Sequence, residues 1–196
     1  MSVFPPIAEF FDRSLPQITD QRRDRLSQIV SYLRRDRPRL VFICTHNSRR
    51  SHMAQLWAQA AAEHFSVDGV ETFSGGTEAT EFNTHAVDAM RACGFKIDEE
   101  GDAHLVSWSD QMEPIRVYSK VFTDPPNPQS GYCAVMTCSE ADAGCPVVPG
   151  ADTRVAAPYL DPKESDGSGV EAALYEARAR EIGIEMAWVF ERARKY

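Results

Sequence analysis

The chain has no hydrophobic run approaching the roughly 18 residues that span a bilayer. Its first residues, Met1-Ser2-Val3-Phe4-Pro5-Pro6, lack the basic and apolar segments of a secretory signal. Both absences lead to the expectation of a soluble, cytoplasmic protein without a membrane partner. Basic charge is scarce as well: 21 Lys and Arg face 29 Asp and Glu, for a net charge of -8. A nucleic-acid or anionic-membrane surface needs clustered cations to neutralise phosphate, so neither is expected, and any anion must be captured locally. No Cys-x-x-Cys unit occurs, and no His lies near Cys133, Cys138 and Cys145 in sequence, which argues against a zinc site. Internal repeats and a domain linker are also missing.

What is present suits one ordinary globular core, with 196 residues and 43% apolar content. The five cysteines, Cys44, Cys93, Cys133, Cys138 and Cys145, are odd in number, which suggests redox or catalytic use more than a disulfide scaffold. Residues 7 to 37 read as two helices, the second carrying Leu26, Ile29, Val30 and Leu33 at helical spacing behind a Thr19-Asp20 cap signal. Leu40-Val41-Phe42-Ile43 has the continuous apolar pattern of a strand buried on both faces of a parallel sheet. A helix is expected from Ser51, with Met53, Leu56, Trp57, Ala60 and Ala61 on one face.

Further strands are expected at Val70 to Phe73, Tyr132 to Thr137 and Arg154 to Ala157, and further helices at Thr84 to Cys93 and Val170 to Arg194. In the last of these, Ile182, Met186, Val189 and Phe190 are expected inside. Residues 98 to 131, acidic and ending in Thr123-Asp124-Pro125-Pro126-Asn127-Pro128, read as a long loop or insertion. Trp108, Tyr118 and Phe122 within it are expected to join the core rather than form a lid. Cys93 on a helix face and Cys133 inside a strand read as inert core thiols. Strands alternating with helices imply an open parallel α/β sheet.

Chemistry concentrates between the first strand and the helix after it. Cys44-Thr45-His46-Asn47-Ser48-Arg49-Arg50-Ser51 sets a cysteine and an arginine six positions apart in a loop that opens a helix. Loop amides and the helix dipole favour an anion there, and the Arg50 guanidinium can hold two oxygens of a tetrahedral oxyanion. The same field stabilises a thiolate at Cys44. Ser51 can donate a hydrogen bond to it, and Asn47 tolerates the left-handed backbone a tight loop needs. Thr45, His46, Asn47, Ser48, Arg49 and Arg50 are therefore the candidate oxyanion-binding residues.

The stretch Val41 to Gln55 resembles the loop and first helix of the low-molecular-weight protein tyrosine phosphatase superfamily, which includes thioredoxin-coupled arsenate reductases. Ser74-Gly75-Gly76-Thr77-Glu78 is similar to that family's Ser-Ala-Gly-Thr-Glu turn. Met136 to Pro146, with Cys138 and Cys145 seven apart after a strand, resembles the reductase branch's redox segment. Tyr159-Leu160-Asp161-Pro162 resembles the loop whose aspartate is the general acid. The likeness covers about residues 39 to 190. It implies a three-layer α/β sandwich with an open, mostly parallel four-stranded sheet in residues 39-196, plus an N-terminal helical extension in residues 1-38.

It also implies a mechanism. Arg50 and the loop amides bind arsenate, Cys44 attacks arsenic, and Asp161 protonates the leaving hydroxyl. Cys138 then forms a disulfide with Cys44, and Cys145 resolves it, on a segment made mobile by Ala141, Ala143 and Gly144. Thioredoxin is the implied reductant, and no cofactor is implied. Departures from the family pattern leave the substrate open: His46 stands where the family usually has Gly, and Arg49 where it often has Cys. Gln55 stands where some reductases carry a potassium-associated Glu, so no specific metal is expected. Lys163-Glu164-Ser165-Asp166 follows the Asp-Pro motif, where phosphatases usually carry aromatics. Two rivals remain: a phosphatase using Cys44, Arg50 and Asp161 on a phosphate ester, and a non-catalytic redox sensor or oxyanion-binding module. Asp161 can also simply end a strand before Pro162.

Overall fold

A computed structural model describes residues 3–13 and 18–194. Parts of the expected extension, residues 1–2 and 14–17, lie outside the described residues, as do 195–196. The elements run α1 (Pro5–Arg13), α2 (Asp20–Leu33), β1 (Arg39–Cys44), α3 (Arg50–His64), β2 (Glu71–Gly76), α4 (Thr84–Ala92), β3 (Lys96–Glu100), β4 (Ala103–Ser107), β5 (Ile115–Val117), β6 (Tyr132–Met136), α5 (Ser139–Gly144), β7 (Ala151–Ala156) and α6 (Glu171–Ala193), with a short 3-10 turn at Pro162–Ser165 before α6. Four strands form one parallel sheet in the order β2-β1-β6-β7.

The alternation of a pleated strand explains why β1 and β6 are apolar throughout. Leu40, Phe42, Cys133 and Val135 point into the large core under α1, α2, α3, α4 and α6. Val41, Ile43, Tyr132, Ala134 and Met136 point the other way, into a smaller cluster with Ala141 of α5 and Val148. The sheet thus lies between a thick helical layer and a thin cover. In α2, Thr19 accepts the Arg22 amide as the expected N-cap, and Leu26, Ile29, Val30 and Leu33 are buried. α3 exceeds the expected one-sided pattern: almost every residue from Arg50 to Ala62 is buried, because α1 and α6 cover the sides the sheet leaves free. Gly183 makes the closest of these approaches possible, since a Cβ there would come 2.7 Å from the Trp57 ring and 2.8 Å from Phe10.

The segment from 98 to 131 is not simply a loop. Its first half completes a second, antiparallel sheet, β3-β4-β5, whose β3–β4 hairpin closes on Gly101-Asp102 with Gly101 at φ +64. Only Ile97 of β3 is buried, and exposed ion pairs such as Arg116–Glu100 run across the strands, so the apolar alternation that marks a strand is weak. The two-residue Gly-Asp connection was the available signal. Trp108 is in the core as expected, whereas Tyr118 and Phe122 are only partly buried. The second half returns as an irregular run that bridges the end of β2 at Gly76↔Val121. No helix among the described residues is long and apolar enough to cross a membrane.

Candidate active site

Parallel register creates the site. Ile43 pairs with Met136, and the amide and hydroxyl of Thr137 both donate to the Ile43 carbonyl, at 2.7 and 2.9 Å. One residue beyond that tie stand Cys44 and Cys138, two buried thiols in one cluster, with Cys145 packed at its edge. Thr45 Oγ1 lies 3.4 Å from Cys138 Sγ, which ties the second cysteine to the loop of the first.

The loop from Cys44 to Arg50 is fastened from below. Asn47 is left-handed at φ +45, as its residue type allows. Its Nδ2 donates to Ser51 Oγ at 2.9 Å, and Ser51 Oγ lies 3.0 Å from Cys44 Sγ. Because the Asn47 amide occupies an acceptor position on the Ser51 oxygen, the Ser51 proton is free to point at the cysteine sulfur. Gly76 packs against this loop so closely that a Cβ would meet Thr45 O at 2.6 Å and Asn47 N at 2.7 Å. Glycine is needed there for the approach.

Arg50 is buried and crosses to the chain after β7. Its Nη1 donates to Tyr159 O at 3.1 Å and its Nη2 to Asp161 Oδ2 at 2.6 Å. Asp161 does cap a short turn, accepting the Lys163 amide through Oδ1, but its other oxygen faces the loop arginine. Arg49 stands 3.9 Å from Asp161 Oδ1 and donates to Tyr175 Oη at 3.0 Å, and Tyr175 in turn donates to Asp166. Burial, with the Asp166 bond, pushes the Tyr175 hydroxyl up to about 12, so it stays a donor. His46 is half-buried at the rim, where with Ser48, Arg49, Thr80, Glu81, Asn83 and Lys163 it lines a polar cavity of about 410 Å³.

The segment between Cys138 and Cys145 is a helix rather than an open link. Cys138 is the N-cap of α5, its sulfur accepting the Ala141 amide at 3.3 Å, and Cys145 is the C-cap. Burial pushes the Cys138 thiol up, partly offset by the Thr45 hydroxyl and the Ala141 amide. Cys93 and Cys133 are buried away from this cluster, and burial drives them to about 11 and about 12, thiols without a charged form near neutrality.

Several neighbours carried no sequence signal. Lys120 is buried on the returning run and donates its backbone N–H to Asn47 Oδ1 at 2.9 Å. Arg178 on α6 sits close enough to Arg50 that burial and that charge together push it down. Tyr159 and Glu185 share a 2.6 Å bond beneath the Asp161 loop. Lys120, Arg178 and Glu185 come from elements distant in sequence from the Cys44 loop, where no local pattern marks them.

The fold is that of the low-molecular-weight tyrosine phosphatases. A phosphotyrosine phosphatase from Vibrio cholerae O395 superposes with a TM-score of 0.53 over 78% of this chain and 93% of its own, at 12% identity. One from T. tengcongensis gives 0.50 over 79% and 96%, at 19% identity. No protein-family model matches the chain. An arsenate reductase of Bacillus licheniformis is 30% identical over 145 residues, 74% of this chain and 88% of the relative. That of Brevibacillus brevis is 31% identical over 151 residues, 75% and 90%. The chain therefore belongs to the arsenate reductase family, built on the low-molecular-weight tyrosine phosphatase fold. It is accordingly an enzyme.

Proposed function

We propose that the chain reduces arsenate to arsenite through Cys44, Cys138 and Cys145. The observation that carries this reading is the second thiol: parallel register sets Cys138 beside the Cys44 loop, bonded to Thr45. A phosphate ester hydrolysed by water has no use for it. In this mechanism arsenate displaces Asp161 from Arg50 and binds the guanidinium and loop amides. The Cys44 thiolate, held by Ser51, attacks arsenic, and Asp161 supplies the proton with which a hydroxyl leaves as water. Cys138 attacks the Cys44 sulfur, the S–As electron pair stays on arsenic, and arsenite departs while a Cys44–Cys138 disulfide forms. Two thiols supply the two electrons.

Cys145 then resolves that bond to Cys138–Cys145. Seven positions along the helix put the Cα atoms of the two capping cysteines roughly 10 Å apart, beyond the ~7 Å limit of a disulfide. The step therefore requires α5 to unwind, which carries Cys138 out of its buried position towards Cys145 and the exposed Val147. Thioredoxin, a dithiol protein, is the proposed reductant of that pair. Lys163 at the rim, in a polar cavity lined by no Phe, Tyr or Trp, supports a small hydrophilic substrate over a phosphotyrosine ring.

The test is a thiol count with disulfide mapping by mass spectrometry on reduced protein, before and after stoichiometric arsenate, with phosphate as control. Loss of two thiols with arsenate alone, mapped to Cys138–Cys145, is the expected result. Cys44-dependent hydrolysis of an aryl phosphate with no arsenate-dependent disulfide would make the protein a phosphatase instead.

A further inference from the structure

The N-terminal helices reach the acid loop through one buried group of side chains. Arg22, on the first turn of α2, makes a two-pronged ion pair with Glu185 of α6, Nε to Oε1 at 2.7 Å and Nη2 to Oε2 at 2.8 Å. Its remaining Nη1 donates to the Pro158 carbonyl at 3.3 Å, and its guanidinium lies 4.7 Å from the centre of the Tyr159 ring. Glu185 also accepts the Tyr159 hydroxyl at 2.6 Å. Tyr159 is thereby pegged at both ends: its side chain enters this group, its amide donates to Thr137 O at 3.0 Å, and its carbonyl accepts from Arg50. Leu160 is exposed, and Asp161 follows directly.

From this arrangement we propose that Arg22 is a positioning residue for the general acid, holding the Pro158–Asp161 turn so that Asp161 faces the Cys44 loop. The inference rests on the reading of Asp161 as the acid. It gives the N-terminal helices a part in catalysis: α2 supplies the third prong of a clamp whose other members, Glu185 and Tyr159, lie within residues 39–196. Two carboxylate oxygens and one carbonyl are satisfied by three nitrogens of a single planar guanidinium, a geometry lysine cannot reproduce. Once the oxyanion displaces Asp161 from Arg50, its turn alone fixes the carboxylate, and the rate falls steeply when that turn drifts, since misplacement by about 1 Å costs on the order of a hundredfold.

Removing Arg22 alone leaves Glu185 buried and unpaired, and the chain can then fail to fold for that reason. The informative variant is R22M/E185Q, which removes both charges and leaves an acceptor for the Tyr159 hydroxyl. Single-turnover thiol loss with arsenate should slow about ten- to a hundredfold in this variant. In a D161N background the same pair of changes should add nothing, because Arg22 acts through Asp161. Amide exchange by mass spectrometry should rise across residues 157–162 and stay unchanged in β1 and α3. An undiminished rate, an equal further loss in the D161N background, or unchanged exchange at 157–162 each overturns the inference. An unmodified chain that turns over neither arsenate nor an aryl phosphate overturns the functional reading instead.

Discussion

At the scale of residues, the candidate nucleophile is the end of a hydrogen-bonded chain. Lys120 N–H reaches Asn47 Oδ1, Asn47 Nδ2 reaches Ser51 Oγ, and Ser51 Oγ lies against Cys44 Sγ, all four residues being buried. A lysine in that company is costly. Burial lowers it from 10.5 to about 8, with Asp124 opposing, and its charge in turn helps hold buried His52 neutral, after burial itself. An unfolded lysine keeps its proton to about 10.5, whereas the folded one loses it near 8. Between those values the unfolded chain binds more protons, so stability contributed through Lys120 climbs with pH. Cys93 and Cys133, raised by burial, work in the opposite direction above 9.0 in any variant that keeps them, so the difference between two proteins is what isolates the lysine. Lys120→Met should be more stable than the natural chain by up to about 3 kcal/mol at pH 7. That advantage should shrink steadily from pH 8 to 10.5 in denaturant titrations. A pH-independent difference would mean the ammonium is not buried as drawn.

At the scale of elements, β1, β6 and α6 were legible because their patterns follow from burial that local residues already encode. The loop from Cys44 to Arg50 was legible for the same reason: strand, left-handed Asn, arginine and helix start all lie within one short stretch. The hairpin β3–β4 was obscured because solvent on one face lets charges replace the apolar alternation. α5 was obscured because six residues carry too little periodicity to reveal a helix, and the small residues Ala141, Ala143 and Gly144 that suggested mobility fit one equally well. Yet this helix sets the timing of the proposed redox relay. Gly144 has no positive φ, and a Cβ there would meet nothing within 4 Å. Gly144→Ala should therefore stabilise the helix by about 0.4–1 kcal/mol. If Cys138 and Cys145 bond only after the helix unwinds, that substitution should slow closure of their disulfide by a small-molecule disulfide oxidant about two- to fivefold. Alkylation of Cys44 should be unaffected. Equal closure rates would show that the two thiols meet without unwinding.

At the scale of the whole molecule, the question is whether the first helices are an appendage or part of the core. The amphipathic pattern of α2 showed that it packs on something, but not on what: its Arg22 meets Glu185 across 163 positions, a separation no local pattern can bridge. α1 is bound just as closely. Phe11 is buried against Trp57 edge-to-face, at 5.4 Å between ring centres, and Phe10 stacks on the same indole at 4.6 Å. Trp57 is itself fully buried on α3, the helix that follows the Cys44 loop, and meets Phe95 on another side. A single aromatic cluster therefore joins α1 to the helix that follows the Cys44 loop. Phe11→Ala should cost about 3–5 kcal/mol, the range for a buried aromatic truncated in a core that cannot collapse around it. The loss should appear as one transition: tryptophan fluorescence and far-ultraviolet circular dichroism should unfold together at a lower denaturant midpoint, with the slope unchanged. An early transition that removes part of the helical signal, leaving oxyanion binding and Cys44 reactivity intact, would instead mark the first helices as a unit that the catalytic core does not need.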